Sequence, residues 1–114
     1  MVLQFMQIRL HNVLTDLGRC GRTSRLISSN TSPINSDEYR IAVRTGQHYV
    51  SAFGGTIYDY HFMLQTSNGG WCERHGSTPT VNDGYINPTT FSWDLPGYYT
   101  NFYNSGTYYI AVKK

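Results

Sequence analysis

The chain is poor in charge and in sulfur, and it has no long apolar run. Only 14% of its 114 residues are charged and the formal net charge is +2, too little Lys and Arg for the several phosphate contacts that general nucleic-acid binding needs. Two cysteines, Cys20 and Cys72, cannot build a disulfide framework; the count allows one bond or two thiols, with two free thiols favoured. The most apolar stretch, from Val2 to Leu17, is interrupted by Arg9, His11 and Asp16, so it is neither a membrane span nor a signal peptide. No internal repeat and no linker divides the sequence, and residues 1–114 read as one domain.

What is present is aromatic: ten Tyr, five Phe and two Trp. Rings bury large areas while keeping a polar tip, so aromatic packing is expected to dominate the core. Low charge together with frequent Tyr, Asn, Ser and Thr leans toward extracellular proteins. Six of the seven Arg precede residue 45, three of them within Arg19–Arg25. That cluster reads as a solvated linker, with an anion contact as the alternative.

Leu3, Met6, Leu10, Val13, Leu14 and Leu17 recur at helical spacing, and Gly18 follows as a stop, which predicts a helix over 3–17. Residues 28–37 are turn formers without periodicity and predict a loop. From 39 to 113 the chain is β-prone. Tyr39–Arg44 and His48–Phe53 flank Thr45-Gly46-Gln47 as one expected hairpin, and Tyr58–Thr66 and Trp71–His75 flank Asn68-Gly69 as a second. Prolines and glycines break 76–106 into short strands and loops, and Thr107–Lys113 alternates as a closing strand. The expected fold class is α+β, an antiparallel sheet of about five strands with the N-terminal helix packed on one face.

The chemistry concentrates on the second hairpin. Along a strand Asp59 shares a face with His61, and Glu73 with His75. With Thr66–Gly70 as a five-residue loop, Gln65 faces Trp71 and the two pairs meet on one surface. With a two-residue Asn68-Gly69 turn the register slips by one and they separate. Two imidazoles and a carboxylate that converge suit an acid–base site and allow a divalent metal without requiring one. The bland alternative has both histidines as hydrogen-bonded sheet residues. A cysteine nucleophile, Cys20 or Cys72 with His48 or His61 as base, is the other chemical option.

Asp59-Tyr60-His61-Phe62, Gln65, Gly70-Trp71, Glu73-Arg74-His75-Gly76, Ile86-Asn87-Pro88, Ser92-Trp93-Asp94-Leu95 and Tyr108–Val112 resemble a family of Firmicutes-type bacterial proteins with no established activity. The resemblance implies a bacterial origin and weight on His61, Trp71 and His75. It also counts against Cys72, where the family carries Ala or Ser, as a nucleophile.

Two functions follow as expectations. The first is a small hydrolase with His61 as general base, Glu73 as its orienting partner and His75 polarising the substrate or holding a metal. Asp59, Trp71, Arg74, Trp93 and Tyr98 would then bind substrate. The second is a non-catalytic module in which Trp71, Trp93, Tyr98, Tyr99 and Tyr103 stack on a small molecule, glycan or peptide. Trp93, in the proline-bounded run Ser92–Gly97, is expected as a half-exposed platform.

Overall fold

The computed structural model describes residues 23–75 and 78–114. Among them the chain is almost entirely antiparallel sheet. Its strands are β1 (Ser24–Ile27), β2 (Glu38–Val50), β3 (Gly55–Gln65), β4 (Trp71–Glu73), β5 (Val81–Gly84) and β6 (Tyr108–Lys113). They form one six-stranded sheet in the order β1-β6-β2-β3-β4-β5. The α+β expectation is therefore corrected to an all-antiparallel β architecture, whose one helical turn among the described residues is the 3-10 turn Ser51–Phe53. The helix expected at 3–17 lies outside the described residues, as do Cys20 and the first part of the arginine cluster.

The first expected hairpin is also corrected. β2 runs unbroken through Thr45-Gly46-Gln47, which pair with Tyr60, Asp59 and Tyr58 of β3. Gly46 is there for space rather than for a turn: a Cβ on it would lie 2.3 Å from the carbonyl oxygen of Phe102 and 2.8 Å from its ring. A glycine inside a strand often marks such a close approach. The chain reverses instead at Ser51–Gly54, where Gly54 takes φ +71° and its N–H bonds to the Ser51 carbonyl at 3.0 Å.

Alternation along the strands gives the sheet two apolar faces. One carries Ile41, Val43, Ile110 and Val112, flanked by Tyr39, Tyr60 and Tyr108. The other carries Ala42, Val50, Met63, Trp71 and Tyr109, over which the irregular chain between β5 and β6 lays Trp93, Phe102 and Tyr103.

Arg44 holds that covering segment in place. Its side chain lies on the covered face, and the residue is only 5% exposed. Nε donates to Thr107 Oγ1, one terminal nitrogen to Asn101 Oδ1 and the Tyr103 carbonyl, and the other to the carbonyls of Pro88 and Thr89. All five donors of the guanidinium are thus used. Its carbon also sits 5.0 Å from the centroid of the Trp93 ring, where the π face offsets a buried cation.

Candidate functional site

The turn that leaves two registers open in the sequence is the five-residue one. Thr66 and Gly70 close it with a 2.8 Å backbone bond, Gly69 takes φ +90°, and Gln65 pairs with Trp71, Leu64 with Cys72 and Met63 with Glu73. The faces therefore coincide, and Asp59, His61, Glu73 and His75 share the covered side of the sheet.

Glu73 is the hub. Its Oε1 accepts from His61 Nε2 at 3.1 Å and from His75 Nε2 at 2.6 Å. The two imidazoles stack with centroids 4.2 Å apart and planes 13° from parallel. Tyr103 stacks on the other side of His61 at 5.1 Å, and Trp93 meets it edge-on at 6.0 Å. His61 and Glu73 are each 8% exposed, and His75 is half-buried.

A further carboxyl, Asp83 on β5, lies against Glu73. Burial works against the Glu73 charge, but the hydrogen bonds from His61, Asp83 and His75 and the His61 charge outweigh it and hold the carboxylate well below its usual range. Burial and the neighbouring Glu73 push Asp83 up to about 7. Asp83 Oδ2 itself is buried without a hydrogen-bond partner.

Above the histidines opens a cleft of about 740 Å³, whose lining includes Asp59, His61, His75, Pro79, Tyr98 and Tyr103. Asp59 is tied into its wall, accepting from the Tyr103 hydroxyl at 2.9 Å and from the Tyr60 N–H at 2.9 Å. Burial, with the Asp59 charge behind it, pushes the Tyr103 phenol well above its usual range. A second hollow, of about 560 Å³, lies beside Glu38, Arg40 and Gln65. There Arg40 is already bonded to the Ser32 carbonyl and to Gln65.

The other expected site residues fall as follows. Tyr98 is 55% exposed at the cleft and packs against Phe53, with ring centroids 4.8 Å apart. Arg74 is exposed and donates to the Thr78 carbonyl at 3.0 Å, which ties the chain leaving β4. Trp71 and Trp93 are 1% and 0% exposed, so neither offers a ring face to solvent. The half-exposed platform expected at Trp93 is corrected to a core ring, held by Nε1–H donating to the Pro88 carbonyl at 2.8 Å. Cys72 is a half-buried free thiol that alternates away from Trp71 and Glu73. His48 is elsewhere on β2, stacked on Tyr99 and bonded to Asn104. Sequence reasoning missed Asp83 and the packing of Tyr103 on His61, because neither belongs to the hairpin whose alternation was readable.

No family model, no curated protein and no solved structure matches this chain.

Proposed function

We propose that the protein is a small bacterial hydrolase in which His61, positioned by Glu73, takes a proton from the water that attacks a bound carbonyl. The observation that carries this reading is the carboxylate oxygen shared by His61 and His75, two histidines that line an open cleft. An ionised carboxylate only accepts, so each imidazole points an Nε2–H at Glu73 and keeps its lone pair on Nδ1. His61 is then a base in a fixed tautomer. When Nδ1 takes the proton from water, the hydroxide equivalent adds to the carbonyl carbon, and Glu73 offsets the imidazolium charge. That proton next passes to the leaving group. His75, stacked on His61 and bonded to the same oxygen, supplies a second hydrogen-bonding imidazole at the cleft.

A panel of simple ester and peptide substrates tests the reading, with His61→Gln beside the parent because Gln fills much of the buried space. Turnover in the parent and a loss of at least about 100-fold in a folded His61→Gln variant is the expected result, the lower end of what a positioned base supplies. Turnover that survives in the variant rejects His61 as base.

The exposed rings of Tyr98 and Phe53 favour a second reading, a non-catalytic module for a small molecule, glycan or peptide. It stands on these rings and Tyr103, since Trp71 and Trp93 are core. Absence of turnover, with ligand-induced fluorescence changes that Tyr98→Ala abolishes, would select it.

A further inference from the structure

The arrangement around Glu73 has more acceptors than donors. Glu73 accepts from two imidazoles, and Asp83, which lies against Glu73, keeps its Oδ2 buried without a hydrogen-bond partner. An unsatisfied buried oxygen costs free energy, and two carboxylates in contact require positive charge nearby. One candidate is a proton shared between the carboxyls, and the other is a cation.

The donor set points to the cation. One ligand atom each from His61, Glu73 and His75 lie within 4.8 Å of one another. We infer that these three side chains hold a divalent ion of zinc type, with its open position toward the cleft and Asp83 as the adjoining carboxylate whose charge the ion offsets. Calcium and magnesium do not fit, since they take mostly oxygen ligands and six or more of them. Two imidazoles and a carboxylate with a vacant position suit zinc-type ions. Bonds of about 2.0–2.2 Å to one ion require the His75–Glu73 contact to open and the stacked rings to tilt. That adjustment is available because His75 lies two residues beyond the end of β4 and outside the ladder.

The ion site stands without the hydrolase reading, but its effect on turnover rests on that reading. A metal on Nε2 takes the lone pair and leaves the proton on Nδ1, so His61 is a base only in the ion-free protein. Zinc should therefore inhibit any turnover that proceeds through His61.

The test uses the whole chain stripped with a chelator and titrated with Co²⁺, a spectroscopic substitute for Zn²⁺, followed by competition with Zn²⁺. The expected result is a visible absorption band of low-symmetry Co²⁺ at one equivalent, displaced by Zn²⁺. It should be weakened by at least about 10-fold in His75→Ala, since even partners beyond the ligands contribute that much to affinity. Glu73→Gln is the second variant, and circular dichroism checks that both remain folded. No band, or a band unchanged in both folded variants, overturns the ion site. Turnover that persists in chelator without any Co²⁺ binding would reject the ion and leave the hydrolase reading intact. One-site Co²⁺ binding, with no turnover in the chelator-stripped protein either, would do the reverse.

Discussion

The rings of His61 and His75 lie face to face, 4.2 Å between centroids, and both present Nε2 to one oxygen of Glu73. Removing that oxygen's charge should therefore loosen two side chains at once. Glu73→Gln keeps the shape but replaces an anionic acceptor by an amide, and a buried hydrogen bond to a charged group is worth about 1.5–3 kcal/mol. A fall in stability of that order is expected in urea unfolding, with the midpoint shifting at constant slope. No shift would mean that the histidines do not depend on Glu73.

Arg44 should not tolerate lysine. A lysine ammonium supplies three donors and no planar fork, whereas Arg44 has five bonds to the segment that covers the site. Arg44→Lys is expected to cost at least about 2 kcal/mol, because several buried carbonyls lose their donors. A thermal melt within the error of the parent would contradict this account.

Trp93→Ala removes a fully buried ring, its bond to the Pro88 carbonyl and the partner of the Arg44 cation. Losses for such truncations are about 3–5 kcal/mol. Chemical denaturation should show a loss in this range, and one below about 1 kcal/mol, the level of a surface substitution, would place the ring outside the core.

Two glycines give a graded comparison. Gly46→Ala drives a methyl into the Phe102 backbone, while Gly54→Ala meets no atom within 4 Å but forces a side chain to φ +71°. The second should cost about 1–2 kcal/mol, the usual strain of a left-handed residue. The first should cost more, and it should also release the covering segment to proteolysis between Gly84 and Tyr108. Equal losses would show that the close approach at Gly46 is soft.

Alkali should find Tyr103 late. Burial, with Asp59 behind it, raises its phenol above the ordinary value, so the folded protein holds this proton where the unfolded chain releases it. Stability is then full below about pH 10, the ordinary tyrosine value, and falls as pH rises beyond it. Ultraviolet titration should show a late-ionising phenol that disappears in Tyr103→Phe. A titration unchanged by that substitution would assign the late phenol to another tyrosine.

The site was legible where it followed strand alternation. The convergence of Asp59, His61, Glu73 and His75 needed only the length of one turn, which Gln65 opposite Trp71 settles. Asp83 was not legible: Asn82-Asp83-Gly84 looks like a turn, and it reaches Glu73 through β5, whose pairing shifts register between Trp71 and Cys72. β1 escaped because four residues beside an arginine cluster show no period. Its Arg25 is bonded to Glu38 at 2.8 Å and is not part of a free linker. Gly46 misled because a glycine that ends a strand and one that makes room for Phe102 are the same letter.

The strand order also sets a sequence of events. β6, the last of the described strands in chain order, sits between β1 and β2, and Ser24 pairs with Val112. On a ribosome β1 therefore waits for β6, its partner among the described strands, while β2 to β5 can already zip as a local meander that holds His61 and Glu73. Long-range closure of this kind is slow. The nascent molecule thus carries the pieces of its site before it carries the strand that completes the sheet beneath them.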